Sequence, residues 1–186
     1  MVHSVGLVRG INVGASTRVA KADLVGAFAA CGMRDAVSFL QSGNVVFDAD
    51  GPPTDTDARA VEKELTRRSG VTAGVILLAE DRFRAVAAAN PLQGAGDDFS
   101  KLMVTFLDHE VPPSVTVPGD ADLAPEIVRL GDRAVYQWCP LGVSNSLLGP
   151  AFWRTVGPIA TGRNWRTVLR LLEELDRRGS ASTTDS

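Results

Sequence analysis

Residues 6–14 constrain the fold more than any other stretch, because a buried strand turns there into a loop rich in glycine. They read Gly-Leu-Val-Arg-Gly-Ile-Asn-Val-Gly. Gly10 and Gly14 can adopt a positive φ at little cost. Arg9 and Asn12 stand where apolar side chains would suit a buried segment better. The stretch therefore predicts a first strand followed by a loop that presents polar side chains.

The elements that follow alternate between strand and helix in an order that identifies a fold. Strands are expected over residues 3–9, 36–41, 44–48 and 71–78, and helices over 19–31 and 57–69. Gly32 ends the first helix, and Ser42-Gly43 is short enough for a two-residue hairpin turn. The order βαββαβ is that of a ferredoxin-like fold, with an expected strand order of 4-1-3-2 and helices on one face.

The second half of the chain is also predicted to mix strands and helices, so the class is α+β. Strands are expected over residues 101–107, 126–130 and 134–139, and helices over 80–89, 151–156 and 164–178. We expect a ferredoxin-like subdomain over residues 1–79. A smaller α+β subdomain over 80–178 follows, with its last helix packing back on the first. Residues 179–186 contain no large apolar side chain and are expected to be disordered.

Two groups of polar side chains are expected at one end of the first sheet. Strands one and two run in the same direction in this topology. The loop after strand one and the turn after strand two therefore lie at the same end of the sheet. That placement brings Arg9 and Asn12 near Gln41, Ser42 and Asn44. Loops at strand ends are where binding sites are usually built.

A third polar group begins the last predicted helix, with Asn164 as its N-cap between Arg163 and Trp165. The first amides of a helix have no internal partner and the macrodipole is positive there, which favours an anion. Trp165 offers a stacking face. We expect the three groups to form one ligand site if the last helix closes that end of the sheet. Structural interpretations stay open: Asn12 and Asn44 as backbone caps, and Trp165 as a core residue.

Composition excludes several classes of function. The formal charge of −3 argues against a broad nucleic-acid surface. Cys31 and Cys139 lie in apolar runs and are expected to be reduced thiols, and no Cys/His spacing predicts a metal site. His109, between Asp108 and Glu110, is the better candidate for a metal ligand or base, although the trio is typical of solvated charge. No apolar run reaches the roughly 20 residues of a membrane span, so a cytoplasmic location is expected.

Three motifs resemble the bacterial DUF1697 family in order and spacing. They are Arg9-Gly-Ile-Asn-Val-Gly14, Leu40-Gln-Ser-Gly-Asn-Val-Val-Phe47 and Thr161-Gly-Arg-Asn-Trp-Arg-Thr-Val168, and the resemblance covers roughly residues 3–175. It implies an α+β fold of ferredoxin-like subdomains and no assigned activity. The chain departs from the family at Ala15-Ser16 and at Ser146-Leu147-Leu148, where members often read Ser-Lys-Leu. The second departure replaces the family's lysine with Leu147, which argues against any activity that needs an amine at this position.

These observations predict a protein that binds a small anionic or polar molecule and leave open whether it is an enzyme. The expected ligand-binding residues are Arg9, Asn12, Gln41, Ser42, Asn44, Arg163, Asn164 and Trp165. The sequence leaves open whether the protein uses a cofactor, and the chain is expected to be a monomer or a homodimer. The alternative is a module that binds single-stranded nucleic acid or another protein.

Overall fold

The structure is a computed structural model that describes residues 1–184. Over these residues the chain forms two four-stranded antiparallel sheets and six α-helices, which is the predicted α+β class. It divides into two compact units. The first unit joins Met1–Arg84 to the chain from Arg170 onwards, and the second is Ala85–Leu169.

Most elements follow one another closely along the chain, but irregular connections over residues 89–101 and 108–119 flank the first strand of the second sheet. The strands are β1 (Val2–Val8), β2 (Arg34–Phe39), β3 (Asn44–Ala49), β4 (Val75–Ala79), β5 (Leu102–Leu107), β6 (Ile127–Leu130), β7 (Ala134–Trp138) and β8 (Ala160–Asn164). The helices are α1 (Lys21–Ala30), α2 (Asp55–Ser69), α3 (Glu80–Ala88), α4 (Asp120–Leu123), α5 (Pro150–Val156) and α6 (Trp165–Thr184).

The first sheet has the strand order β2-β3-β1-β4, which confirms the predicted 4-1-3-2. Every neighbouring pair is antiparallel, and Val5 lies opposite both Val46 and Leu78. Strand β3 therefore separates β1 from β2, which run the same way. The ends of β1 and β2 lie at one end of the sheet, as the topology requires.

Helices α1 and α2 cover one face of the first sheet. Phe28 of α1 and Phe47 of β3 are fully buried, and their ring centroids lie 5.5 Å apart. Val61 and Leu65 of α2 belong to the same apolar cluster. Gly6 lets Phe28 approach the sheet, since a Cβ there would lie 2.4 Å from the ring. Close packing on this face thus depends on a strand residue without a side chain.

The C-terminal part of α6 lies on the other face of the first sheet. Asp48 points to this face because its neighbours in β3, Phe47 and Ala49, belong to the α1–α2 side. Buried Arg178 donates to the Asp48 carboxylate at 3.0 Å and to the Asp35 carbonyl at 2.7 Å. Helices therefore cover both faces, whereas the βαββαβ order alone predicted helices on one face.

The second unit repeats the topology of the first. Its order β5-α4-β6-β7-α5-β8 is again βαββαβ, and its sheet has the equivalent strand order β6-β7-β5-β8. The same backbone contact recurs at the end of the first strand of each unit. The Val8 amide donates to the Gly43 carbonyl at 2.7 Å, and the Leu107 amide donates to the Arg133 carbonyl at 3.0 Å. The two units are thus topological repeats, although their residues give little sign of it.

Two predicted boundaries at the C-terminal end were wrong. Residues 160–164, expected as a loop and helix start, form β8, because they pair along β5 from Ala160 opposite Leu107 to Asn164 opposite Met103. Helix α6 continues through Thr184 instead of ending at Arg178. Extending an existing helix costs little, and the Ser180 hydroxyl donates to the Asp176 carbonyl at 2.9 Å. The remainder of the predicted tail, residues 185–186, lies outside the described residues.

We expect Gly6→Ala to destabilise the first unit by about 1–3 kcal/mol, because its methyl group must displace the Phe28 ring. Gly14→Ala is the matched control: Gly14 has an extended φ of −171°, and a Cβ there meets no atom within 4 Å. Urea unfolding of both variants measures the difference. Equal stabilities would contradict the close approach of Phe28 to β1.

Candidate functional site

The turn between β2 and β3 rests against the end of β1. It spans residues 40–43, two more than the predicted hairpin turn, with left-handed φ values of 55° at Leu40 and 73° at Gly43. The Val8 amide donates to the Gly43 carbonyl. A Cβ at Gly43 would lie 2.8 Å from the Val8 carbonyl oxygen. Glycine is therefore required at position 43 both for its φ and for this contact.

Asn12 joins the loop after β1 to that turn. Its Nδ2 donates to the Gln41 carbonyl at 2.7 Å, and its Oδ1 accepts from the Val19 amide at 2.9 Å. Asn12 itself has a φ of 58°, a conformation that asparagine tolerates better than most residues. The structure thus brings Asn12 and Gln41 together, as the strand order implied, and gives the Asn12 amide a backbone-capping role.

The remaining first-unit candidates divide between buried and exposed positions. Asn44 is fully buried, and its Nδ2 donates to the Phe39 carbonyl at 3.2 Å and to the Ser42 hydroxyl at 2.9 Å. Arg9 and Ser42 are exposed, and the Arg9 amide donates to the Gly74 carbonyl. Asn44 therefore holds the turn in shape. The side chains of Arg9, just after β1, and Ser42, within the turn, are exposed to solvent.

A cleft of about 970 Å³ opens beside Asn12 and Gln41, at the start of α1. Arg18 and Lys21 line it and are exposed, and within residues 1–184 neither side chain has a hydrogen-bonded or ion-paired partner. Arg68 also lines the cleft, with its Nε bonded to Glu64 at 2.8 Å. Three basic side chains thus face one opening in the first unit.

The start of α1 contributes to the electrostatics of this cleft. Its N-cap, Ala20, makes no side-chain hydrogen bond to the first turn. Uncapped amides and the helix dipole favour an anion, whereas Asp23, which also lines the cleft, opposes one. Sequence reasoning missed Arg18 and Lys21. The available signal was a helix start that lacked the usual Ser, Thr, Asp or Asn cap.

The third motif lies in the second unit and has structural roles there. Arg163, in β8, is 6% exposed, and its Nη1 donates to the Thr161 hydroxyl at 2.7 Å and to the Gly162 carbonyl at 2.8 Å. Burial lowers the pKa of Arg163 to about 10. Asn164 caps α6 as predicted, because its Oδ1 accepts from the Thr167 amide at 3.0 Å.

The structure favours structural roles for three features of this motif. Trp165 is only 4% exposed and is a core residue, so it does not offer a face for stacking. In the first turn of α6 the Thr167 amide donates to Asn164 Oδ1 and the Trp165 amide donates to the Phe99 carbonyl, so these two amides are not open to an anion. Arg163 was placed at the helix start and instead belongs to a strand, where its guanidinium is held among buried groups.

A buried carboxylate in the second unit was also missed. Glu126 is 5% exposed and accepts hydrogen bonds from Gln137 Nε2 at 2.9 Å, the Ser146 hydroxyl at 2.7 Å and the Leu147 amide at 2.9 Å. These bonds hold the loop that contains Ser146. Burial, with Glu126 nearby, raises the pKa of Cys139 to about 12, so this thiol is a poor nucleophile.

Other classes of site find little support among residues 1–184. No group of three or more His, Cys, Asp or Glu side chains there is arranged to hold a metal ion. No helix in the described part of the chain is long and apolar enough to cross a bilayer. On both sheets the aromatic side chains of the described strands are buried or partly buried, so they offer no open platform for bases.

Comparison with known proteins identifies a family of unknown function and a solved structure of similar fold. A family model described as "Protein of unknown function (DUF1697)" matches residues 1–136. The third motif, over residues 161–168, lies beyond that match. The structure is similar to that of the conserved bacterial protein SP0830 from Streptococcus pneumoniae, with a TM-score of 0.69 and 20% identity over 95% of this chain and 99% of that one. At this identity the similarity shows the fold alone. The search of curated proteins found no match.

We expect Asn12→Ala to cost about 1–3 kcal/mol of unfolding free energy, from two lost hydrogen bonds and an alanine at positive φ. Asn12→Gly loses the same hydrogen bonds, but glycine adopts a positive φ without strain, so this variant should cost less. Urea unfolding of both variants separates the cost of the lost hydrogen bonds from the cost of the backbone conformation. An Asn12→Ala variant within about 0.5 kcal/mol of wild type would contradict the capping role.

Proposed function

The chain belongs to the DUF1697 family, a family of unknown function, and we propose that its first unit binds a small anionic molecule in the cleft at the start of α1. One observation carries the proposal. Arg18 and Lys21, two cations without a protein partner within residues 1–184, line the same cleft as the motif residues Asn12 and Gln41.

The size of the cleft suits a small molecule. Its volume of about 970 Å³ lies near the upper end of the roughly 300–1,000 Å³ that is usual for ligand pockets. Val19, Leu24 and Leu40 add apolar surface to its lining. A ligand with an anionic group and a compact organic body fits this combination better than a bare ion.

The charges around the cleft favour an anionic group of the ligand near the helix start. The guanidinium group of Arg18 can bind a carboxylate or phosphate with two parallel hydrogen bonds. The ammonium group of Lys21 and the uncapped end of α1 add positive potential at the same place. Asp23 repels a second anionic group and accepts hydrogen bonds from hydroxyl or amine groups. The ligand class is therefore a phosphorylated or carboxylated molecule that also carries hydrogen-bond donors.

The loop and the turn supply a rigid wall for this ligand. Asn12 holds the loop to the turn through the Gln41 carbonyl, and Gly43 holds the turn to β1 through the Val8 amide. Because this wall is already rigid, it loses little conformational entropy when a ligand binds. The motif residues thus support the site mainly by shaping it, while Arg18 and Lys21 supply the charge. The proposal is one of binding and includes no reaction.

Thermal unfolding with added anions tests the proposal. Inorganic phosphate, a sugar phosphate and a dicarboxylate are each compared with chloride at equal ionic strength. We expect at least one of these anions to raise the Tm of the wild-type protein in a concentration-dependent way, because it binds the folded state alone. The double variant Arg18→Ala/Lys21→Ala should lose that increase.

The double variant Arg59→Ala/Lys63→Ala is the matched control. Both side chains are exposed on α2 and do not line the cleft, and their removal changes the net charge by the same amount. This control should keep the full increase in Tm. The proposal fails if no anion raises the Tm above the chloride value, or if the two double variants respond alike.

A further inference from the structure

The ring of His109 lies between two hydrogen-bond acceptors. Its Nδ1 is 2.5 Å from Asp108 Oδ1, and its Nε2 is 2.8 Å from the carbonyl oxygen of Val156. Asp108 and His109 directly follow β5, and Val156 is the last residue of α5. The imidazole therefore connects the end of a central strand of the second sheet to the end of a helix.

The two contacts together require a proton on each ring nitrogen. A neutral imidazole carries one N–H group, and its other nitrogen is an acceptor. A carboxylate and a carbonyl oxygen offer only lone pairs, so a neutral ring would leave one acceptor facing another. The arrangement is satisfied only by the doubly protonated imidazolium, which donates to both oxygens.

The backbone next to α5 is shaped to receive the ring. Gly157 has a φ of 132°, which side-chain-bearing residues rarely adopt. A Cβ at Gly157 would lie 2.3 Å from His109 Cε1. The ring therefore packs directly on the main chain at the end of α5, and its position depends on a glycine there.

We propose that His109 is a pH-sensitive clasp, which holds the end of α5 to the end of β5 when its imidazole is protonated and releases it when the imidazole is neutral. Asp108 supplies the opposing carboxylate from the same loop. Arg133, in the β6–β7 turn, donates to the Asp108 carbonyl and faces His109 as a cation. Two further charged residues are close in sequence to this contact and are exposed: Arg154 of α5 and Glu110 of the loop after β5.

The direction of the pH effect follows from the net influence of these groups on the pKa of His109. The hydrogen bond to Asp108 raises the pKa of His109, burial and Arg133 oppose it, and the Val156 carbonyl adds to the increase. A folded-state pKa above the unfolded value means that protonation stabilises the fold. The stabilisation is fully present below the unfolded pKa of His109 and is lost as the pH rises through the folded pKa. Helix α5 therefore loosens on the alkaline side of the titration.

Two measurements on the full-length wild-type protein test the clasp. NMR follows the ring protons of the two histidines as the pH rises, and His3→Gln shows which signal belongs to His109. Hydrogen exchange, corrected for the intrinsic pH dependence of amide exchange, follows the amides of residues 152–157. We expect their protection to fall by about fivefold with the same midpoint as the His109 titration, the change that loss of one ordinary hydrogen bond produces. Amides of α2 should show no such step.

A neutral replacement provides the matched variant. In His109→Gln the side-chain amide keeps a donor for the Val156 carbonyl but does not titrate, so protection of α5 should not change with pH. His3→Gln should retain the wild-type step. The clasp is excluded if wild-type protection stays constant through the His109 titration, or if a folded His109→Gln variant shows the same step. Because the wild-type comparison decides by itself, the test stands even if the glutamine variant does not fold.

Discussion

The contact between the β2–β3 turn and the end of β1 organises the first unit. The Gly43 carbonyl accepts from the Val8 amide, and the missing side chain at Gly43 lets the two backbones approach. The contact fixes the turn, the turn fixes Asn12 through the Gln41 carbonyl, and Asn12 fixes the loop that leads to α1. The cleft therefore depends on one backbone hydrogen bond and two hydrogen bonds of the Asn12 side chain, and its basic residues Arg18 and Lys21 lie next to the segment that these bonds hold.

Much of the first unit followed from the sequence because its elements are local and strongly patterned. The βαββαβ order left few possible topologies, and the strand order β2-β3-β1-β4 confirmed the expected one. The repeated topology of the second unit was harder to see. Its β8 contains Ala-Thr-Gly-Arg-Asn, which has no alternation of apolar residues, so only pairing with β5 makes it a strand. Tertiary pairing overrides local propensity at such a segment.

The site was less predictable than the fold, because exposed charges carry no periodic signal. Asn12 and Gln41 were placed together correctly from topology, and Asn164 was recognised as a helix cap from its residue type. Arg18 and Lys21 precede or begin α1 as ordinary surface residues, and only the structure shows that they line a cleft. His109 was interpreted as solvated charge, since no sequence pattern indicates that the Val156 carbonyl lies opposite its second nitrogen.

The unfolding free energies of Gly43→Ala and Gly10→Ala test the central contact most directly. Both residues have a left-handed φ, 73° and 68°, but a Cβ at Gly43 meets the Val8 backbone while one at Gly10 meets nothing within 4 Å. Both variants incur a conformational cost of about 1–2 kcal/mol. Gly43→Ala should cost about 1–3 kcal/mol more, from the backbone displacement at Val8. Equal costs would show that the turn does not rest on β1 and would contradict this account of the site.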